Sequence, residues 1–290
     1  MNQNLKLRIL TAVIGLMVIM TLLLFLGIEG VAFFAWVISI GMLYEYCRMF
    51  FSLQDAGRKT AIAILFATFI HVFNYIFNSR MSAQVMAHVP VFIFFILFLF
   101  MIPQLLRYGG SEAAHSPEGE ELITKHVQEL MALCFGLVYC VGFPMLMVAI
   151  RSQHHGKYWI LFGLLIVWSN DTFAYFGGKR FGRHFLFETI SPKKTKEGAL
   201  AGVLGAIIAG YLFGIYFLPT QPWYLLLTII LTVSGASILG DLAESLLKRA
   251  SKKKDSGSIL PGHGGFLDRF DGVVFAIPTL YLLLWFFNFA

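Results

Sequence analysis

Nine apolar segments, each long enough to cross a bilayer as a helix, dominate this chain of 290 residues. They lie at roughly 9–27, 31–47, 60–78, 85–106, 127–150, 158–178, 199–218, 223–247 and 272–289. A hydrocarbon core of ~30 Å requires ~20 apolar residues in a helix. Only 13% of the residues are charged, about half the share found in soluble proteins. The pattern therefore predicts an all-α polytopic membrane protein with about nine transmembrane helices.

The positions of lysine and arginine predict the orientation of these helices, because cytoplasmic loops are enriched in both residues. With a cytoplasmic N-terminus, nineteen of the 22 fall on the cytoplasmic side, and only Arg80, Arg151 and Lys157 lie outside. The C-terminus is then expected outside. The formal net charge of +6 indicates this loop bias and contact with anionic membrane lipids. We do not expect a nucleic-acid partner.

The loop at 107–126 is polar and acidic, and it lacks apolar periodicity. We interpret it as a solvated cytoplasmic connector. It would divide the chain into an N-terminal four-helix transmembrane region, 1–106, and a C-terminal five-helix catalytic region, 127–290.

Residues 241–271 form a polar island between the last two apolar segments. The island holds five of the sixteen acidic residues, namely Asp241, Glu244, Asp255, Asp268 and Asp271. Asp241, Glu244 and Lys248 share one face of a helix because of their spacing. Glu244 is equally well explained as a metal ligand or as the partner of Lys248.

Three glycines and a proline at 261–265 predict a tight loop after this helix. Asp268 and Asp271 follow it, one helical turn apart. Two separated carboxylate pairs, a glycine-rich turn and a basic cluster predict a site for a metal-bound phosphate compound.

Further ionisable groups lie in or beside the apolar segments. Asp171, at the cytoplasmic side of its segment, is predicted to act on the nucleotide or metal, because charges in spans are costly. For Glu45 we favour a structural role, in which its side chain reaches the interface or pairs with Arg48. The loop containing Ser191, Lys193, Lys194 and Thr195 precedes a helix and predicts a phosphate cradle.

The stretch from Ser245 to Arg249, then Lys254-Asp255, then the run from Pro261 to Asp271 resembles the signature of the phosphatidate cytidylyltransferase (CDP-diacylglycerol synthase) family. The Asn170-Asp171 motif and the loop at 191–198 also resemble that family. The resemblance covers most of the second half of the chain and is loose in the first half.

The resemblance implies an enzyme that condenses CTP with phosphatidic acid, giving CDP-diacylglycerol and pyrophosphate. It implies Mg²⁺ on Asp241, Asp268 and Asp271, with a K⁺ ion nearby. The length of segment eight brings Asp241 to the depth of the other two aspartates. The resemblance further associates the signature with the nucleotide, through Lys254, Asp255, His263, Gly264, Gly265 and Arg269.

Repulsion between two anions is the main obstacle in such a reaction, so the metal, Lys193, Lys194, Lys248 and Arg249 are expected to offset it. We expect a multi-pass protein of the bacterial inner (plasma) membrane with a cytoplasmic active site. The alternatives are a related CTP-dependent lipid or polyprenol nucleotidyl- or phosphotransferase and, less well supported, a secondary transporter. A homodimer is left open.

Overall fold

The computed structural model describes residues 3–51, 53–78, 116–257, 259 and 264–287. Within these ranges the chain is an all-α polytopic membrane protein with one small hairpin. The N-terminal helices are α1 (Gln3–Phe25), α2 (Gly27–Phe50) and α3 (Leu53–Asn78). After the gap come α4 (Pro117–Leu137), α5 (Phe143–Arg151), α6 (Gly156–Phe181), α7 (Lys196–Phe217), α8 (Trp223–Ala250) and α9 (Leu267–Phe286). Strands β1 (Phe185–Phe187) and β2 (Ser191–Thr195) pair antiparallel between α6 and α7.

Seven helices in the described part of the chain are long and apolar enough to cross a membrane. One of them combines α4 and α5, and a shorter apolar stretch at Val13–Phe25 belongs to α1. Each predicted segment within the described ranges coincides with a helix. The fourth predicted segment, 85–106, lies outside them, so the total of nine stays a prediction.

A π-helical turn at Val138–Gly142 joins α4 to α5, which the sequence analysis did not predict. The amide of Phe143 donates to the carbonyl of Val138, which closes the wider π-type ring. Pro144 follows directly and has no backbone N–H to donate, so the regular α-helical ladder is interrupted here. The turn buries Tyr139, Cys140 and Val141 in the core.

Small residues let α6 and α7 pack closely as an antiparallel pair. A side chain at Gly202 would collide with Asn170, and one at Gly177 would collide with Ala201. Such small-residue seams are the usual basis of close helix packing in membranes. Thr195 caps α7, because its hydroxyl accepts a 3.1 Å hydrogen bond from the amide of Gly198.

Helices α8 and α9 approach each other most closely beside the polar island. A Cβ atom on Gly240 would lie 2.5 Å from the backbone oxygen of Asp271 and 3.3 Å from the Cα atom of Gly272. Glycine at 240 therefore brings the backbones of the two helices together at the level of their acidic residues.

The N-terminal helices belong to the same hydrophobic core as the C-terminal ones. Helix α2 packs against α3, α5 and α9, and the ring of Phe266 covers Gly41. The hydroxyl of Tyr46 donates to the carbonyl of Ala132 over 2.9 Å. The proposed division at 107–126 stays a prediction, since 107–115 lie outside the described residues.

Candidate active site

The polar residues singled out above converge at one end of the helix bundle. This end holds the C-terminal turns of α2, α6 and α8 and the N-terminal turns of α7 and α9. Antiparallel pairing of α6 with α7 and of α8 with α9 causes the convergence. A buried hydrogen bond of 2.9 Å from Ser234 to Asn170 then ties α8 to α6.

Three carboxylates form an acidic cluster, defined as Asp241, Glu244 and Asp271. Each offers one oxygen, and these oxygens all lie within 4.8 Å of one another. Asp241 and Glu244 share one face of α8, and Asp271 comes from α9. Glu244 is fully buried, whereas the other two are half-buried. Carboxylates this close repel strongly, so either positive charge or protonation must offset the repulsion.

Two lysines supply part of that charge. Lys194, from β2, forms an ion pair with Asp241. Lys248, one turn beyond Glu244 on α8, forms an ion pair with it. Glu244 therefore contacts Lys248, as one of its two interpretations predicted, while its role as a metal ligand stays a prediction that its place in the cluster favours.

Asp268 differs from the prediction. The expected metal-binding set was Asp241, Asp268 and Asp271, but the structure groups Glu244, not Asp268, with the other two. Asp268 lies one residue into α9, where Oδ1 accepts from Nζ of Lys248 over 2.8 Å. Its Oδ2 atom accepts from the amide of Gly265 at 3.1 Å and the hydroxyl of Ser256 at 2.9 Å. The loop before α9 therefore holds this carboxylate against Lys248, next to Glu244 of the cluster.

A cavity of about 420 Å³ opens beside the acidic cluster, between α6, α7, α8 and the hairpin. Its lining includes the exposed carboxylate of Asp171 and the side chains of Lys193, Lys194 and Thr195, together with Asp241. The structure therefore places Asp171 and three residues of the predicted phosphate cradle, Lys193, Lys194 and Thr195, on the walls of one cavity. Ser191, at the start of β2, is half-buried and is not among the lining residues.

The hairpin is fixed at its base by Glu197. This carboxylate accepts from the amides of Arg183 and His184 at 3.0 and 3.2 Å. Its other oxygen lies 2.6 Å from Nδ1 of His184. Arg249 approaches the hairpin turn, where its Nε donates to the carbonyl of Ile190 over 3.4 Å. These contacts orient β2 and its lysines towards α8.

The remaining predicted residues lie around the same end of the bundle. Lys254, Asp255 and Arg269 are exposed, and Gly264 has a φ of +84°, a conformation that favours glycine. His263 lies outside the described residues.

Sequence reasoning missed the role of Glu45. The expected interface position and pairing with Arg48 are wrong, because Glu45 is buried and its contacts are with Ser256 and Leu267. Arg48 instead donates to the hydroxyl of Tyr44 at 2.7 Å. A carboxylate inside an apolar segment was the only available signal, since its partners lie more than 200 positions along the chain.

The donor set suits a divalent cation. With every group ionised, the carboxylates of Asp241, Glu244, Asp268 and Asp271 carry four negative charges and Lys194 and Lys248 carry two positive ones. Two negative charges remain uncompensated among these six groups. Carboxylate oxygens are hard ligands of the kind that Mg²⁺ prefers.

The fold and the site together define a multi-pass membrane protein in which carboxylates and lysines form a polar site at one end of the helix bundle. The chain belongs to the cytidylyltransferase family, whose model matches residues 6–287. A phosphatidate cytidylyltransferase of Staphylococcus haemolyticus is 33% identical over 285 residues, which cover 96% of this chain and 98% of that relative.

Two other curated relatives match about half of this chain. A phosphatidate cytidylyltransferase of Bacillus subtilis is 44% identical over 142 residues, or 49% of this chain and 53% of the relative. A relative of the same name from Staphylococcus aureus is 45% identical over 156 residues, or 53% of this chain and 58% of the relative. In these two alignments the chain spans little more than half the length of the relatives.

Proposed function

We propose that this protein is a phosphatidate cytidylyltransferase, which makes CDP-diacylglycerol and pyrophosphate from CTP and phosphatidate. One observation carries the proposal: the acidic cluster, flanked by Lys194 and Lys248, borders the cavity at one end of a membrane-embedded bundle. A water-soluble triphosphate and an amphiphilic lipid can meet at such a position. The names of the relatives agree with this substrate pair.

In this reaction a phosphate oxygen of phosphatidate attacks the α-phosphorus of CTP. The bond from that phosphorus to the β-phosphate bridging oxygen breaks, and pyrophosphate leaves with the electron pair. The nucleophile is already an anion near neutral pH, so the site does not need a general base. Its main tasks are to position two anions and to reduce their repulsion.

Lysines beside the acidic cluster perform these tasks in the proposal. Lys193 and Lys194 line the cavity and would contact triphosphate oxygens. Lys248 is held at the cluster by Glu244 and Asp268, and Arg249 follows it on α8. Because their carboxylate partners already orient Lys194 and Lys248, little side-chain entropy is lost when phosphate arrives.

Asp241, Glu244 and Asp271 are proposed to hold Mg²⁺, which when bound would neutralise charge on the triphosphate. The excess negative charge among the site's carboxylates supports this assignment. Asp268 acts on Lys248 in this proposal and is not assigned to the metal. A K⁺ ion near the site stays an expectation without assigned ligands.

The cavity is proposed to hold the nucleotide, with Asp171 on its wall. Asp171 and Asn170 offer acceptors and a donor to the ribose or base, while Lys193 and Thr195 face the phosphates. Lys254, Asp255, His263, Gly264, Gly265 and Arg269 stay predicted nucleotide contacts on the strength of the resemblance.

We place this site at the cytoplasmic face of the bacterial plasma membrane, with nine spans and an external C-terminus. Helix α8 has 28 residues, which is about 42 Å at 1.5 Å per residue and exceeds the ~30 Å hydrocarbon core. Its C-terminal turns, with Lys248 and Arg249, would therefore extend to the lipid headgroups. The basic residues of the same end fit the cytoplasmic side.

The deciding experiment uses the purified full-length protein with phosphatidate in mixed micelles and CTP radiolabelled at either its α- or its γ-phosphorus. We expect the α-label to enter the chloroform-soluble product and the γ-label to remain in water as pyrophosphate. Entry of the γ-label would instead identify a lipid kinase. Absence of lipid labelling with phosphatidate would contradict the proposal.

A related transferase acting on another lipid phosphate remains the second candidate, because the same cluster would serve any phosphate monoester. Parallel reactions with polyprenyl phosphate test it, and we expect labelling at least ~10-fold slower than with phosphatidate, or ~1.4 kcal/mol of discrimination. Homodimer formation stays an expectation, to be measured by light scattering of the purified protein.

A further inference from the structure

Glu45 is a buried carboxylate at the C-terminal end of α2, with only 2% of the residue exposed. Within the described residues, its side-chain hydrogen bonds all reach the polar island, more than 200 positions further along the chain. Oε2 accepts from the amide of Leu267 at 3.0 Å and lies 3.1 Å from the hydroxyl of Ser256, whose single proton it shares with Asp268. Glu45 therefore fixes both the segment after α8 and the first turn of α9.

Ser256 also connects Glu45 with Asp268. The hydroxyl of Ser256 lies 2.9 Å from Oδ2 of Asp268, and its amide lies 3.3 Å from the same oxygen. One serine is thus held between two carboxylates from different helices. Asp268 uses its other oxygen to hold Lys248, which pairs with Glu244 of the acidic cluster. A continuous polar path leads from α2 to the site.

Two glycines allow the loop to close over the Glu45 carboxylate. A Cβ atom on Gly257 would collide with Oε1 and Cδ of Glu45. A Cβ atom on Gly265 would collide with Oε2 of Glu45 and with the hydroxyl of Ser256. The backbone therefore approaches the carboxylate more closely than any other residue type would permit.

Packing alone does not account for a carboxylate at this position. Burying a charge is costly unless hydrogen bonds satisfy it, and an apolar side chain of similar volume usually packs as well or better. Within the described residues, Oε1 of Glu45 has no hydrogen-bond partner. A costly group whose hydrogen bonds lead to the segments bordering the site is typical of functional positioning.

We propose that Glu45 is a positioning residue for the transfer reaction: it orients Ser256 and the start of α9 so that Asp268 holds Lys248 at the acidic cluster. The proposal rests on the proposed function for its kinetic consequence. Its structural consequence, a fixed position for Ser256 and for the start of α9, holds whatever the substrate is. Two independent measurements are therefore available.

The first measurement is hydrogen–deuterium exchange on the purified full-length protein without substrate. Glu45→Ala removes both acceptor contacts, so we expect exchange of the amides of Ser256 and Leu267 to accelerate ~10-fold or more. Glu45→Gln keeps a carbonyl oxygen that can accept from Ser256 and Leu267, so we expect exchange close to wild type. Unchanged exchange in Glu45→Ala would overturn the proposal.

The second measurement is steady-state kinetics of the same variants with CTP and phosphatidate. For Glu45→Ala we expect kcat to fall ~30-fold or more, with each KM within ~3-fold of wild type, because Lys248 is misplaced in the transition state. Glu45→Gln is expected to recover most of this loss. Equal kcat in Glu45→Ala and wild type, or a loss confined to KM, would contradict positioning.

Ser256→Ala and Glu29→Gln complete the set. Ser256→Ala removes only the connecting hydroxyl, so it tests the polar path from Glu45 to Lys248 even where Glu45→Ala fails to fold. We expect kcat to fall ~3- to 10-fold.

Glu29→Gln is the control, because it makes the same change as Glu45→Gln at the opposite, exposed end of α2, beside Tyr75. It should match wild type in both measurements. If the wild-type protein is inactive with CTP and phosphatidate while Glu45→Ala still accelerates amide exchange, the proposed substrates are refuted. The positioning of the loop by Glu45 then stands.

Discussion

The ammonium of Lys248 on α8 lies 2.8 Å from Oδ1 of Asp268 on α9 and also pairs with Glu244, one turn earlier on its own helix. One cation thus joins the acidic cluster to the first turn of α9. Asp268 also accepts from the loop donors, whereas the oxygens of Asp241, Glu244 and Asp271 lie within 4.8 Å of one another and form the group suited to a metal.

Removing the metal or either of two cluster aspartates should stop catalysis. We expect no turnover in EDTA, recovery on adding Mg²⁺, and a loss of at least ~100-fold, or about 2.7 kcal/mol, in Asp241→Asn and Asp271→Asn. Each change keeps the shape and removes one charge. Wild-type activity in EDTA would exclude the proposed metal.

Glu244→Gln and Asp268→Asn should separate metal binding from lysine positioning. For Glu244→Gln we expect the Mg²⁺ concentration at half-maximal activity to rise ~10-fold or more, since one ligand charge is lost. For Asp268→Asn we expect kcat to fall ~10- to 100-fold while the Mg²⁺ requirement stays near wild type. Magnesium titrations of both purified variants provide the measurement, and the reverse pattern would restore Asp268 as the ligand.

Asp171→Asn should impair nucleotide use, because Asp171 lines the cavity proposed for CTP. We expect kcat/KM for CTP to fall at least ~10-fold, about 1.4 kcal/mol, at saturating phosphatidate. Thr172→Ser, at the next position and exposed, serves as a control that should leave the kinetics unchanged. Normal kcat and KM in Asp171→Asn would assign this carboxylate a structural role.

Gly240→Ala should destabilise the protein because its Cβ atom would lie 2.5 Å from the backbone oxygen of Asp271. Forcing α8 and α9 apart is expected to cost ~1–3 kcal/mol and to reduce activity at the adjacent cluster. Gly235→Ala on the same helix is the matched control, since nothing lies within 4 Å of its added Cβ atom. Thermal aggregation midpoints in detergent should fall for the first variant alone.

Cysteine labelling tests the proposed orientation. In a variant without native cysteines, Lys193→Cys and Lys253→Cys should react with an impermeant maleimide only in inside-out vesicles, and Lys157→Cys only in intact cells. The expectation follows from the distribution of lysine and arginine. Labelling of position 193 or 253 from the outer face would invert the topology.

The sequence by itself determined the protein class and the location of its site. Apolar segments long enough to span a bilayer leave the backbone no alternative to helices, because every polar backbone group must be satisfied within the segment. Each predicted segment in the described ranges is accordingly a helix. The spacing of Asp241, Glu244 and Lys248 placed them on one helix face, because helix periodicity is a local property.

Tertiary structure decided which carboxylates meet and which cations they face. Asp268 and Asp271 lie about one turn apart at the start of α9, yet only Asp271 joins Asp241 and Glu244. The close approach at Gly240 and the loop donors around Asp268 determine that outcome. Likewise, nothing near Glu45 in the sequence identifies Ser256 or Leu267 as its partners. Such pairings depend on how helices distant in the chain pack, and local periodicity carries no information about that packing.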